Sequence, residues 1–194
     1  MVVETVVTTL DERGEPHFAA MGVTWGEETM VIRPYVNTRT FRHLRDRGDA
    51  VINVTDDVLL FAQSALTHER LEGERAPRVG GVILRGACHW REVQVTEIAV
   101  PPAGSAARRA DVISRVVGAG ARRPFVGLCR AKHAVVEASI LASRLRFLCL
   151  PDVLSELDRL EPLVEKTGGP REREAFRFIR SYIAEGASAI GAPP

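Results

Sequence analysis

Apolar and polar positions alternate through the first third of the chain. Glu4 to Leu10 (ETVVTTL) is rich in β-branched residues and predicts a strand. Asp11-Glu12-Arg13-Gly14-Glu15 predicts a turn, with Gly14 free to take positive φ. His17 to Trp25 (HFAAMGVTW) reads as the returning strand, and Gly22 leaves a stretch of its backbone bare. After the turn at Gly26-Glu27-Glu28, Thr29 to Arg33 makes a third strand that Pro34 ends. Three strands joined by tight turns predict an antiparallel meander.

The period then changes. Thr38 or Thr40 can cap a helix running to about Arg47, with Phe41 and Leu44 turned inward and Gly48 as terminator. Ala50 to Thr55 reads as a buried strand in which Asn53 is the odd polar residue. A buried amide needs partners, either backbone or ligand. Asp56 or Asp57 caps a short apolar helix, VLLFAQSAL. His68 to Gly81 reads as a loop and Gly81 to Ile98 as strand, alternating around Val93 and Val95.

Pro101-Pro102-Ala103-Gly104 is the clearest boundary, and everything beyond it reads as helical. Ala106 to Val117 is one expected helix. Arg130 to Leu150 is the most amphipathic, with Ala134, Ala138, Leu141, Leu145 and Leu148 at spacings of three and four. Asp152 caps the next, which Pro162 should end or kink, and Pro170 opens the last. Strands first and helices last argue for an α+β fold: an antiparallel sheet or barrel with a C-terminal helical subdomain. The expected divisions are 1–100, 105–185 and a frayed tail over 186–194.

Composition narrows the function classes. The 194 residues carry a net charge of +1, which gives no general reason to expect nucleic acid or an anionic membrane. The charge is uneven: Ser105 to Phe147 holds nine basic residues against Asp111 and Glu137. No apolar run reaches the roughly 18–20 residues of a membrane span. Cys88, Cys129 and Cys149 are scattered and odd in number, which fits a reduced, cytoplasmic setting. Neither GxxxxGK[ST] nor HExxH nor GxSxG occurs, and the five histidines show no metal-ligand spacing. Gly118-Ala119-Gly120 is a lone GxG that follows a helical pattern and reads as a helix terminus. His133 and Glu137 sit one turn apart with Arg130 on the same side, as a polar site or a surface pair.

One stretch looks built for an anion. Arg33, Thr38, Arg39, Thr40 and Arg42 lie in and around a loop that enters a helix. A helix N-terminus offers unpaired N–H groups and partial positive charge, and guanidinium and hydroxyl groups can complete a phosphate cradle. The alternative is a capped helix flanked by solvated arginines.

The order of these features resembles the FMN-binding split-barrel superfamily of flavin reductases and flavoredoxins. The residues that carry the resemblance are VVTTLDERGEPHFAAMGVTW and IRPYVNTRTFRHLRDRGDAVINVTDD. With NVTDDVLLFAQSAL, CRAKHAVVEASILASRL and EKTGG, the chain is similar to the archaeal and methylotroph family catalogued as domain of unknown function 447. The resemblance implies a split β-barrel over 1–100 that binds FMN. It implies that Thr38, Arg39 and Thr40 hold the phosphate with Arg33 nearby, and that Ala20, Met21, Gly22 and Val23 lie along the flavin ring. Asn53 would reach the flavin or brace the loop. Lys132 and His133 are candidate ligand-facing groups from the helical part. Where the family's loop prefers glycine this chain has Asn37, a residue that tolerates left-handed backbone. The resemblance implies a homodimer with flavin at its interface; the expected enzyme takes its electrons from NAD(P)H or another donor. The alternative is an FMN carrier or sensor, or an accessory module whose basic helices meet an anionic partner.

Overall fold

In the computed structural model, residues 1–67, 69–102, 108–126 and 129–190 are described. They form two compact units. The first comprises Met1–Thr55 and His68–Phe125, and the second Asp56–Thr67 and Val126–Pro194.

The first unit is a closed antiparallel barrel of six strands in the order β1-β2-β3-β8-β7-β4. These are β1 (Val2–Leu10), β2 (Pro16–Thr24), β3 (Thr29–Ile32), β4 (Asp49–Val54), β7 (His89–Ala99) and β8 (Asp111–Ala121). Val7, Val23, Met30, Ile32, Ile52, Val93 and Val112 fill its interior. Helix α1 (Arg39–Arg47) adds Phe41 and Leu44 to that core. Its cap is Thr38 and its terminator is Gly48 at φ 72°, where a side chain would be strained. Gly14 turns β1 into β2 with φ 82°.

A small hairpin of β5 (Gly73–Arg75) and β6 (Val82–Leu84) lies against the barrel. Polar groups hold it there. Thr8 Oγ1 donates to Val82 O and accepts from Val82 N, at 2.7 and 2.9 Å. Asn53 Nδ2 donates to Val6 O and Val82 O, and its Oδ1 accepts from Leu84 N. That answers the question posed by a polar residue in an apolar strand: the Asn53 amide joins β1, β4 and β6 through backbone groups.

Three expectations about this region change. From Asp111 on, the stretch read as a helix over Ala106 to Val117 belongs instead to β8, a full barrel strand that runs to Ala121, while Ala106 and Ala107 lie outside the described residues. Val112, Ile113, Val116 and Val117 fit either period, and pairing with β3 on one side and β7 on the other decides for strand. Gly118 and Gly120 are therefore strand residues, not a helix terminus. A Cβ on Gly120 would lie 2.2 Å from the Trp90 ring, and one on Gly118 2.7 Å from Glu92 Oε1. Each glycine makes room for a neighbouring side chain. The stretch read as one strand from Gly81 to Ile98 is in fact two, β6 and β7.

The second unit packs α2 (Val58–Leu66), α3 (Arg130–Ser143), α4 (Leu150–Thr167) and α5 (Pro170–Ile190) around one core. Val58, Leu59, Ala134, Ala138, Leu157, Phe176, Ile179 and Ile183 belong to it. Asp57 caps α2, accepting from Leu59 N and Leu60 N. The helix expected over Arg130 to Leu150 stops at Ser143 and passes through a 3-10 turn at Leu145–Phe147. Leu148, read as apolar-face, is exposed there. Asp152 sits in the first turn of α4 rather than capping it, and α4 continues through Pro162 to Thr167. Of the tail expected to fray, Gly186–Ile190 extends α5, and 191–194 lie outside the described residues.

Replacing Asn53 by alanine strands Leu84 N and removes one donor each from Val6 O and Val82 O, the latter keeping Thr8 Oγ1. The expected cost is about 2–3 kcal/mol, more than one net hydrogen bond, because a buried backbone N–H loses its partner. Urea unfolding of Asn53→Ala measures it, with Asn53→Leu as the test that volume alone does not restore the loss.

Candidate functional site

The loop after β3 keeps its pairing on one side and loses it on the other. Beyond Ile32 the chain stays zipped to the segment before β8: Ala110 N donates to Pro34 O, and Val36 N to Arg108 O, both at 3.0 Å. Tyr35 is bridged to Arg109 between them. Pro34 therefore ends the β2 pairing, not the β8 pairing. Pro34 O and Val36 N face β8, so the alternation of an antiparallel ladder turns the Tyr35 carbonyl the other way, toward β2. That carbonyl is taken by Thr38, whose N–H and Oγ1 both donate to it, at 3.1 and 2.7 Å.

Among the described residues, no strand pairs with the matching edge of β2 beyond Val23. β2 pairs with β3 only at Val23↔Ile32 and Thr24↔Val31. Trp25 N bonds Met1 O, so odd-numbered residues of β2 turn their backbone polar groups to β1. The groups of Ala20 and Gly22 turn to the vacated side. Side chains alternate as well. Met21 and Val23 point into the barrel with Val7, whereas Ala20 and Gly22 share the outer face with Glu4 and Val6. Only alternate members of the expected flavin-lining stretch therefore present side chains outward.

The N-terminus of α1 borders the same opening. Its first N–H groups have no intrahelical acceptor. Thr38 Oγ1 accepts from Phe41 N at 3.3 Å while donating to Tyr35 O, so this hydroxyl is engaged as a cap. Thr40 is 2% exposed, and its Oγ1 pairs with His17 Nε2 at 3.2 Å, so it faces the barrel. Arg39 and Arg42 are exposed. Arg33 Nε donates to Asp111 Oδ1 at 2.7 Å and its Nη1 to Thr24 Oγ1 at 2.6 Å, which ties β2, β3 and β8 together. Asn37 is not left-handed, since no described residue other than glycine has positive φ.

Two imidazoles lie under α1, a feature the sequence reading missed. His17 pairs with Thr40, His43 Nδ1 with Thr9 Oγ1 at 2.9 Å, and the rings meet edge to face at 5.7 Å between centroids. Burial pushes the His43 pKa below its ordinary 6.5, with Arg42 and Arg39 adding to the effect and Asp11 and Asp46 opposing it.

The candidates from the helical part lie in the second unit. Lys132 Nζ stands 3.4 Å from Asp56 Oδ2, a nearly buried carboxylate that also accepts from Val126 N. His133 is exposed on α3, as are Glu137 and Arg130. No described helix is long and apolar enough to cross a membrane.

Residues 3–115 match the family model described as "Protein of unknown function (DUF447) N-terminal domain", and residues 129–181 match "Protein of unknown function (DUF447)". The chain belongs to the DUF447 family. The family resemblance read from the sequence is thus borne out. The DUF447 chain is similar in structure to the FMN-bound protein MM1853 from Methanosarcina mazei, at 20% identity and a TM-score of 0.76, covering 93% of this chain and 94% of that one. It is also similar to the styrene monooxygenase flavin reductase of Pseudomonas putida S12, at 19% identity and a TM-score of 0.50, covering 63% and 82%. A third similarity is to the NADH:FAD oxidoreductase SgcE6 of Streptomyces globisporus C-1027, at 14% identity and 0.51, covering 62% and 76%. At these identities the likeness establishes the fold, a split barrel with C-terminal helices.

The His43 shift has a definite sign. A histidine held neutral by the folded state contributes stability that is present above pH 6.5 and is lost as pH falls below it toward the lower folded value. Melting temperatures of the native protein should fall as pH is lowered from 7.5 to 5. His43→Gln, which cannot titrate, should show a shallower fall.

Proposed function

We propose that this chain binds FMN and works as a cytoplasmic homodimer, with the flavin at the subunit interface and a reduced nicotinamide nucleotide as electron donor. The observation that supports the flavin reading best is the opening between the β2 edge and the Arg33–Thr38 loop, which runs to the first turn of α1. At about 3.3 Å per strand residue, His17 beneath that turn and Gly22 at the far end are roughly 17 Å apart. This suits a ligand with an anionic end and a flat, polar-edged ring.

Within that reading, the N–H groups at the start of α1 and the Arg39 guanidinium hold the terminal phosphate. Arg33 adds positive charge on the outer face, partly offset by Asp111. The backbone of Ala20 and Gly22 meets the polar edge of the ring. Thr38, Thr40 and Asn53 support these groups from behind: the first caps α1, the second rests on His17, the third fixes β4. Lys132 and His133 stay candidate ligand-facing groups of the helical unit. Bound flavin supplies the hydride and electron chemistry, while the protein supplies binding, orientation and electrostatics. The likeness to an FMN-bound relative supports the choice of FMN.

An accessory role through basic helices would rest on Arg130 and Arg146, which are exposed on helical turns, and not on Arg122 and Arg123. Arg122 and Arg123 follow β8 rather than lying on a helix. Arg122 is bonded to Glu74, and Arg123 donates to Gly86 O at 3.2 Å.

Titration with FMN and riboflavin tests the reading. FMN should bind more tightly, and Arg39→Ala should reduce that preference by about tenfold, or ~1.4 kcal/mol, with riboflavin unaffected. Thr38→Ala should weaken both ligands alike, as the loss of a helix cap costing about 1 kcal/mol. A protein that refuses both flavins removes the reading. Anaerobic NADH or NADPH should bleach the bound flavin. If neither does, direct reduction by a nicotinamide nucleotide is out.

A further inference from the structure

Tyr35 has no place in the site as the sequence presents it, yet the structure sets its ring at the opening. The ladder between the chain after β3 and the chain before β8 keeps one register throughout: Val31 opposite Ile113, then Tyr35 opposite Arg109. The same register places Arg33 and Asp111 across from each other, where they form their ion pair. Residues directly opposite in an antiparallel pair project to the same face. Arg33, Tyr35, Arg109 and Asp111 therefore share the outer face. Carried past Thr24↔Val31, the β2–β3 register brings Gly22 opposite Arg33 and Ala20 opposite Tyr35, across the gap where pairing has stopped.

Tyr35 is held and yet accessible. The Arg109 guanidinium stacks 4.5 Å from the ring centroid, and its Nη2 donates to the Tyr35 hydroxyl at 3.2 Å. The Tyr35 carbonyl carries both bonds from Thr38. Backbone and ring are thus both fixed, and the residue is still 44% exposed. A rigid exposed aromatic beside strand positions with little or no side chain is suited to a planar ring: offset stacking adds attraction beyond buried area, and little entropy remains to be lost.

We propose that Tyr35 is a stacking wall for the isoalloxazine ring, with Arg109 as the residue that positions it. The inference rests on the flavin reading above. Ala20 and Gly22 form the low side of the slot, and Tyr35 the high side. Because the contact is with the ring, it serves FMN and riboflavin equally, unlike the contacts of Arg39.

The experiment measures flavin fluorescence and affinity together. Native protein should quench FMN on binding. Tyr35→Phe should keep the quench and the affinity. Tyr35→Leu, which retains bulk without aromaticity, should restore much of the fluorescence and weaken FMN and riboflavin alike by about fivefold. Arg109→Ala should give an intermediate quench. Circular dichroism of each variant, matched to native, confirms that the loop change has not unfolded the barrel. If Tyr35→Leu leaves quench and both affinities as they are, or weakens FMN alone, Tyr35 is no wall for the ring. Should Tyr35→Leu fail to fold, the Tyr35→Phe and Arg109→Ala pair decides by the same quench, and an unchanged signal in Arg109→Ala overturns the positioning role. Native protein that binds neither flavin overturns the functional reading instead.

Discussion

The carbonyl of Tyr35 governs the candidate site. In an uninterrupted barrel it would accept from β2 and the wall would close. Here Thr38 takes it twice, with its amide and its hydroxyl. That one exchange of partners starts α1, ends the β2–β3 pairing, and leaves the polar edge of Ala20 and Gly22 without a strand beside it. Backbone groups left in this way need water or a ligand. The opening is thus a by-product of how a helix is capped, and it holds its shape because the other side of the loop stays zipped to the chain before β8.

Much of the fold was legible from β-branched runs and turn residues. ETVVTTL, HFAAMGVTW and AVINVT all became strands, and Gly14 and Gly48 took the conformations that only glycine takes easily. β8 was not legible. Its apolar positions satisfy two periods, and only the partners on either side, distant in sequence, select between them. Asn53 was half legible: its need for partners was plain, but the choice of backbone over ligand depends on a hairpin thirty residues away. The histidine pair and the Tyr35–Arg109 contact escaped for the same reason, since each joins segments that no local spacing connects.

Charge followed a different logic from composition. The arginine-rich span after Ser105 suggested a basic helical surface, yet its members disperse. Arg109 lies on Tyr35, and Arg122 pairs with Glu74 and stands over the Trp90 ring. Arg33 is offset by Asp111. Surface pairs of this kind add little stability in water, but they decide which guanidinium groups are left to meet an anion. Among the described residues around the opening, that leaves Arg39 and Arg42.

The helical unit is assembled from two stretches of sequence, α2 and everything after Phe125. During synthesis, α2 emerges well before α3, α4 and α5, the helices that cover Val58, Leu59 and Ala62. Its apolar side must wait, solvent-exposed or sheltered by other factors, while the remainder of the barrel is made. The barrel in turn cannot close until β8 arrives. The barrel is complete with Ala121 and the helical unit only with α5, so a truncation before Asp111 would spoil two cores at once, and no contiguous fragment carries the helical unit without barrel sequence as well.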